Sequence, residues 1–149
     1  MCRQIRNKGY KKPELRRKSY TKYDRMDGKY PGDKVQVDIK HVPDECIKFP
    51  TYGYKYYQIT SIDEYSRKRK LKIVKEKSTY ETKKFLENLE EMIGFPIHIV
   101  QVDNGREFVN DDDKTSKESA FEKAANNLGI TIKRTRPYSP WQNGKVERS

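Results

Sequence analysis

The stretch Val100-Gln101-Val102-Asp103-Asn104-Gly105-Arg106-Glu107-Phe108 decides the fold of this chain. It completes an apolar run, residues 97–102, that ends in the acid Asp103 and is followed at once by the turn pair Asn104-Gly105. An apolar run of this length, bounded by turn residues, is typical of a buried strand. The pattern therefore predicts a strand that delivers a carboxylate to the edge of a sheet.

Two other stretches carry acids that could meet Asp103. From Lys34 to Lys40 apolar and polar residues alternate, and this period of two predicts a strand with Asp38 on the face opposite its valines. The last stretch, 140–148, contains Glu147 shortly after the turn signal Asn-Gly. Asp38, Asp103 and Glu147 are therefore the candidate catalytic and metal-ligating residues.

The rest of the chain alternates between strand and helix signals. Ser78 and Glu81 form the capping-box pattern Ser-x-x-Glu, and Gly94 marks the end of the helix that they begin. Three consecutive strands with short connections predict an antiparallel meander, and strand four, which follows a helix, can lie parallel to strand one. Because strand four is largely apolar, we expect it to be central and buried on both faces. The residues predicted as strands are 34–40, 55–61, 68–75, 97–102 and 130–135, and those predicted as helices are 78–93, 120–128 and a last helix that begins between 140 and 145.

A parallel pairing of strands one and four would bring two carboxylates together. Two bare carboxylates at close range repel, so one stays protonated unless a cation lies between them. Hard divalent cations such as Mg²⁺ prefer oxygen ligands, and a third acid on the final helix would complete a site for two ions. The arrangement favours phosphoryl transfer.

Each acid also has a simpler interpretation. Asp38 could be an exposed polar position of a strand, Asp103 could serve only the turn, and Glu147 could be an ordinary surface charge of a helix. Asp63 and Glu107 are rival ligands on the same grounds. Spacing alone does not choose between these interpretations.

The charge of the chain is concentrated at its N-terminal end. Residues 1–30 hold eleven Lys and Arg against three Asp and Glu, whereas residues 31–149 hold twenty-two against nineteen. We therefore divide the 149 residues into a basic leader or linker, 1–30, and one domain, 31–149. The leader suits a polyanion, although a solvated, disordered tail has the same composition.

The composition argues against other classes of protein. Cys2 and Cys46 match no paired-cysteine pattern, and with only His41 and His98 besides, a zinc finger is not credible. No apolar run is long enough to cross a bilayer, and the N-terminus lacks the apolar region of a signal peptide. We expect no membrane partner and a cytoplasmic location.

Three stretches together resemble the catalytic core of the DDE transposase and retroviral integrase superfamily, with bacterial insertion-sequence transposases the most similar. They are Gln36-Val37-Asp38, Val102–Phe108 and Thr135–Arg148. The last is the most specific, because Arg-Pro-Tyr-x-Pro, Asn-Gly and the Glu occur there as one unit. The resemblance covers about residues 31–149, and the turn at 62–67 resembles the family's strand-two turn, which favours a structural role for Asp63.

The resemblance implies an α/β, ribonuclease H-like fold in which helices flank a mixed five-stranded sheet. It implies two Mg²⁺ or Mn²⁺ ions held by Asp38, Asp103 and Glu147. The implied activity is cutting DNA at element ends and joining the freed 3′-hydroxyl to target DNA, carried out by a homo-oligomer because two ends must be joined together. The residues implied to shape the site are Asn104, Gly105 and Glu107, and those implied to contact DNA are Tyr138, Gln142, Asn143, Lys145 and Arg148.

Three features depart from the family pattern. The N-terminal helix-turn-helix DNA reader is missing, the interval from Asp103 to Glu147 is lengthened by a polar insertion at 110–119, and the last helix stops two residues after Glu147. Isolated helices this short are unstable, so we expect a core truncated in its last helix, with weak or no catalysis. Two alternatives stay open. One is an inactive remnant that binds DNA non-specifically, and the other is a ribonuclease H-type nuclease acting on RNA–DNA hybrids.

Overall fold

The computed structural model describes residues 28–110, 117–136 and 140–147. Predictions for residues 1–27, for most of the polar insertion, and for Tyr138 and Arg148 lie outside these ranges. Within them, strands and helices follow one another in the predicted order.

Five strands form one mixed sheet. Their bounds are β1 Lys34–Val42, β2 Tyr56–Asp63, β3 Arg69–Val74, β4 Ile99–Val102 and β5 Thr131–Arg134, and their spatial order is β3-β2-β1-β4-β5. β2 lies antiparallel to β1 and β3, as expected for a meander, while β4 lies parallel to β1 and β5. This arrangement confirms the predicted ribonuclease H-like fold class. β4 lies inside the sheet between β1 and β5, and three of its four residues are buried, as its apolar character predicted, while β1 is the middle strand of the five.

Three helices accompany the sheet: α1 Thr79–Ile93, α2 Ala120–Leu128 and α3 Gly144–Glu147. The hydroxyl of Ser78 caps α1 by accepting from the Glu81 amide at 3.3 Å, and the helix ends at Gly94, where φ is 88°. The Glu81 carboxylate lies 3.7 Å from Lys72 Nζ of β3 and 3.6 Å from Lys84 Nζ of α1, and these ion pairs take the place of the return bond of a capping box. In the described part of the chain, no helix has the length and apolar character needed to cross a membrane.

α1 and α2 cover one face of the sheet. The apolar stripes of both helices pack against the inward valines and isoleucines of β1, β2 and β4. The rings of Phe108 and Phe121 meet edge to face with centroids 5.2 Å apart, which fastens the segment after β4 to α2. The largest apolar side chains that are fully buried in this core are Val35, Val37, Ile59, Phe85, Leu86, Leu89, Ile93, Val100, Phe108 and Phe121.

The opposite face of the sheet carries polar residues. Since successive side chains of a strand point to opposite faces, Gln36 and Asp38 of β1 and Gln101 of β4 point away from α1 and α2. The described segment 140–147 lies over this face, where the carbonyl of Gln142 accepts hydrogen bonds from both glutamines. The candidate site therefore forms between the sheet and this segment.

Candidate active site

Asp38 and Asp103 lie close together where β4 ends. The parallel register pairs Gln36 with Gln101. Asp38 and Asp103 each follow two residues later, and they are close enough for the charge of Asp103 to raise the pKa of Asp38. Both side chains are half-buried. The structure thus brings together the two acids that the sequence pattern placed on neighbouring strands.

The surroundings of Asp38 disfavour its charge. Burial raises the pKa of this carboxyl above its ordinary value and the nearby Asp103 raises it further, while Lys40, the Ile39 amide and Lys77 lower it. The Oδ1 atom accepts from the Ile39 amide at 2.9 Å, and Oδ2 lies 3.7 Å from Lys40 Nζ. Paired, partly buried carboxylates are stabilised by a cation, and their oxygen atoms suit Mg²⁺ or Mn²⁺.

The turn after β4 uses one oxygen of Asp103. Its Oδ1 accepts from the Gly105 amide at 3.0 Å, which forms an Asx turn. Asn104 Nδ2 donates to the carbonyl of Thr135 at 3.0 Å, and the Thr135 amide donates to the carbonyl of Val102 at 3.0 Å. Asp103 can therefore stabilise the turn and also serve as a metal ligand, because the turn fixes the direction of its carboxylate.

Glu107 closes this turn from the other side. Its side chain is buried and folds over Gly105, so a Cβ added to Gly105 would lie 2.4 Å from Glu107 Oε1. Lys77, in the loop between β3 and α1, places its Nζ 2.8 Å from the same oxygen. Partial burial opposes the charge of Lys77, but Glu107, followed by Asp103 and Asp38, outweighs this effect and raises the pKa of Lys77. The rival ligand Glu107 is therefore paired with a lysine that also faces the two aspartates.

Glu147 reaches the site through its main chain. Lys40 Nζ donates to the carbonyl of Glu147 at 2.7 Å and lies 3.7 Å from Asp38 Oδ2, so the end of α3 is close to Asp38. The side chain of Glu147 is exposed. Within residues 28–110, 117–136 and 140–147, no three His, Cys, Asp or Glu side chains are arranged to hold a metal ion. The role of Glu147 as third ligand therefore stays a prediction.

Three residues predicted to contact DNA lie in the segment that covers the sheet. Gln142 and Lys145 are half-buried, and Asn143 is only 3% exposed. Asn143 Nδ2 donates to the carbonyl of Val37 at 3.4 Å, and Lys145 Nζ lies 3.4 Å from Glu64 Oε2. These contacts dock the segment onto the protein, and DNA contact by the same residues stays a prediction.

Asp63 has a structural role, as its turn pattern suggested. It is fully buried at the end of β2. Its Oδ1 accepts from the Gly32 amide at 3.0 Å, and its Oδ2 accepts from the Ser66 amide at 2.7 Å. Because both oxygens are bonded to backbone amides, Asp63 holds the β2–β3 turn against the chain that enters β1.

Sequence reasoning missed three residues around the acids: Gln36, Gln101 and Lys77. A signal for the glutamines was present, because each interrupts an apolar strand two residues before an aspartate and therefore shares its face. Lys77 gave no signal, because its partner Glu107 lies far along the chain and meets it only through tertiary packing.

Comparisons with known proteins agree with this fold. The family model described as the integrase core domain matches residues 28–140, which is most of the chain. One similar solved structure is a chain of the simian T-cell lymphotropic virus intasome in complex with PP2A regulatory subunit B56 gamma. Its sequence is 23% identical and its TM-score is 0.63, and the match covers 79% of this chain and 37% of the viral chain. The HTLV-2 integrase catalytic core domain in complex with magnesium, in its trimeric and dimeric forms, is 21% identical with a TM-score of 0.60.

The HTLV-2 match covers 81% of this chain and 66% of the viral one. This chain thus spans about a third of the intasome chain and slightly under two thirds of the HTLV-2 core. Comparison with curated proteins gives no significant match. The mixed sheet in the order β3-β2-β1-β4-β5 and the two neighbouring aspartates agree with the family match. Because that match covers most of the chain, the chain belongs to the integrase core domain family.

Proposed function

We propose that this chain is the catalytic core of a transposase or integrase that cuts DNA at element ends and joins the freed 3′-hydroxyl to target DNA. The observation that supports this most directly is the proximity of Asp38 and Asp103, which follow the paired residues Gln36 and Gln101 of β1 and β4, in a fold of the integrase core family. In the first step water attacks a phosphodiester, and the 3′-oxygen leaves as a hydroxyl. In the second step this hydroxyl attacks a target phosphodiester, and the displaced target strand leaves with its own 3′-hydroxyl.

Asp38, Asp103 and Glu147 would hold two Mg²⁺ or Mn²⁺ ions. Carboxylate oxygens are the ligands that such cations prefer. Burial, and to a smaller extent the charge of Asp103, raises the pKa of Asp38, and a bound cation would stabilise the charged form of both carboxylates. The HTLV-2 integrase core is described as a complex with magnesium. The chemistry that such ions supply when bound is stabilisation of the attacking and leaving oxygens in a phosphoryl displacement.

The lysines around the acids suit the DNA backbone. The side chains of Lys40 and Lys77 are 48% and 42% exposed beside the carboxylates. Their positive charge lowers the repulsion that a phosphodiester would meet near paired acids. We assign the shaping of the turn to Asn104, Gly105 and Glu107. The residues proposed to contact DNA are Tyr138, Gln142, Asn143, Lys145 and Arg148.

Replacement of Asp103 by asparagine tests the proposal. We expect Mn²⁺-dependent nicking of supercoiled plasmid DNA to disappear in Asp103→Asn and in Asp38→Asn, because each change removes an anionic ligand. The control is Asp44→Asn, the same chemical change at an exposed position of the short helix Asp44–Cys46, which should nick as the wild type does. Nicking by Asp103→Asn at the wild-type rate would refute the proposal.

A second candidate function is a domain that binds DNA by charge without cutting it. The exposed side chain of Glu147 and the net charge of +11 favour it. It predicts DNA binding that weakens steeply with salt and survives Asp38→Asn, with no nicking by the wild type. Fluorescence anisotropy of a labelled duplex at increasing salt, run beside the nicking assay, separates the two candidates.

We also propose a homo-oligomeric active form, because two DNA ends must be held together when they are joined. The HTLV-2 core is described in dimeric and trimeric forms, and the simian virus chain is described in an intasome. Sedimentation velocity of this chain with and without duplex DNA tests the proposal. A monomer under both conditions, in a preparation that nicks DNA, would count against it.

A further inference from the structure

Two glutamines lie side by side on the sheet face that carries the aspartates. Gln36 of β1 and Gln101 of β4 are partners in the parallel register. Each precedes its aspartate, Asp38 or Asp103, by two residues. They are 2% and 1% exposed, and a buried amide is costly unless its hydrogen-bonding groups find partners.

Both glutamines bind the main chain of the segment that leads to Glu147. Gln36 Nε2 and Gln101 Nε2 donate to the same atom, the carbonyl oxygen of Gln142, at 3.1 Å and 2.6 Å. Gln36 Oε1 accepts from the Val146 amide at 3.1 Å. The segment is therefore held at two points, one on each side of the start of α3, and Val146 is the residue directly before Glu147.

A buried acid fixes the orientation of Gln36. Its Nε2 also donates to Glu64 Oε1 at 2.7 Å, and Glu64 lies 2.8 Å from Lys34 Nζ and 3.4 Å from Lys145 Nζ. A reversed amide would point its oxygen at the Glu64 carboxylate and would lose the bond to Val146. The network therefore holds the amide ready to receive the segment.

The segment depends on such contacts for its conformation. α3 has four residues, and a helix of one turn is not stable by itself in water. Lys40, Asn143 and Lys145 contribute contacts to this segment, and Gln36 and Gln101 bind its main chain on both sides of the start of α3. We propose that these two glutamines are positioning residues, which hold the segment 142–147 across β1 and β4 and thereby set the backbone of Glu147 beside Asp38 and Asp103. The consequence for the third acid rests on the proposed function, whereas the docking of the segment does not.

Hydrogen exchange in Gln101→Met tests the docking. Methionine keeps the length of the side chain and loses the amide. The variant removes only the bond to the carbonyl of Gln142, so the bond from the Val146 amide to Gln36 stays chemically possible. We expect the amides of residues 144–147 to exchange roughly 5–30-fold faster than in the wild type, the effect of losing one buried hydrogen bond. The control is Gln58→Met on the same sheet face, whose Nε2 donates to Thr60 Oγ1 at 2.8 Å.

The exchange outcomes separate docking from general stability. Faster exchange confined to the segment, with unchanged exchange in β1 and β4, supports the proposal. An unprotected Val146 amide in the wild type would overturn it. So would a Gln101→Met effect no larger than that of Gln58→Met, or an equal acceleration throughout the sheet.

Calorimetric titration with Mn²⁺ tests the consequence for Glu147. Loss of a group that supports a metal ligand weakens affinity by roughly tenfold or more, so we expect this loss for Gln101→Met. In a Glu147→Gln background the same change should have no further effect, because the supported ligand is already gone. An equal loss in both backgrounds would overturn the link to Glu147. A wild type that binds no Mn²⁺ would count against the proposed function and leave hydrogen exchange to decide the docking.

Discussion

Replacing Gly105 by alanine tests how the turn beside Asp103 is built. The added Cβ would lie 2.4 Å from Oε1, 2.5 Å from Cδ and 2.7 Å from Oε2 of Glu107, so that carboxylate has to move. It would then lose its 2.8 Å contact with Lys77 Nζ. Glu107 is 7% exposed, and forcing an extra methyl group into a packed site costs about 1–3 kcal/mol. At roughly 2–4 °C per kcal/mol for a chain of this size, the midpoint of thermal unfolding should fall by roughly 2–12 °C.

The same substitution should be harmless once Glu107 is gone. The three nearest heavy atoms to the added Cβ all belong to Glu107. In a Glu107→Ala background we therefore expect Gly105→Ala to change the free energy of unfolding by less than about 0.5 kcal/mol, or to stabilise slightly by restricting the unfolded chain. Urea and thermal unfolding of the wild type, both single variants and the double variant complete the cycle.

A control variant and a clear contrary result accompany this cycle. Gly28→Ala should be close to neutral, because its Cβ would meet no atom nearer than 3.5 Å. If Gly105→Ala costs the same in both backgrounds, the conflict lies with the backbone of the turn, and the account of Glu107 folding over Gly105 is wrong.

Three further predictions concern the site and its supports. Burial and then Asp103 raise the pKa of Asp38, so the charged form of Asp38 destabilises the folded protein at neutral pH. In chelator-treated protein, Asp38→Asn should therefore raise the midpoint of thermal unfolding at neutral pH, and this gain should disappear below the ordinary pKa of 3.8. A gain that persists below that pH would contradict the electrostatic cause. Partial burial opposes the charge of half-buried Glu122, but hydrogen bonds from the backbone amides of Ser119 and Asn110 outweigh it and lower the pKa of this carboxyl. The stability advantage of wild type over Glu122→Gln should therefore be complete above the ordinary pKa of 4.5 and lost as pH falls through the lowered pKa, as measured by urea unfolding at stepped pH. Thr82 Oγ1 donates to the carbonyl of Glu107 at 2.6 Å inside the protein. Thr82→Val should therefore lower the free energy of unfolding, measured in urea, by about 1–3 kcal/mol. A decrease below about 0.5 kcal/mol would show that this hydrogen bond contributes little.

Much of the fold could be predicted because it depends on near neighbours in the sequence. Alternation from Lys34 to Lys40 placed β1, and the structure extends that strand only to Val42. Ser78 caps α1 and Gly94 ends it in the left-handed conformation, as their positions indicated. The order of the elements, with a helix before β4, predicted that β4 could run parallel to β1, and the structure confirms this pairing. From that pairing the sequence predicted that Asp38 and Asp103 lie close together.

The predictions that failed involve neighbours that come from other elements. Glu81 was expected to complete a capping box with Ser78, but its carboxylate lies 3.7 Å from Lys72 Nζ of β3 and 3.6 Å from Lys84 Nζ of its own helix. β4 was expected to be central and buried, and it does lie between two strands with three of its four residues buried, but the middle position of the sheet belongs to β1. An apolar strand shows that both faces are covered, and it does not show how many strands lie beyond it.

By itself, the sequence determined the strands and helices, their order, and the two aspartates that face each other, because periodicity, caps and turn residues act over a few positions of the chain. Only the tertiary structure decided what surrounds those aspartates. Lys77 meets Glu107, and Gln36 and Gln101 meet the carbonyl of Gln142, through contacts between residues that are distant in sequence. Such contacts are set by how the elements pack together, and no local pattern of residues encodes them.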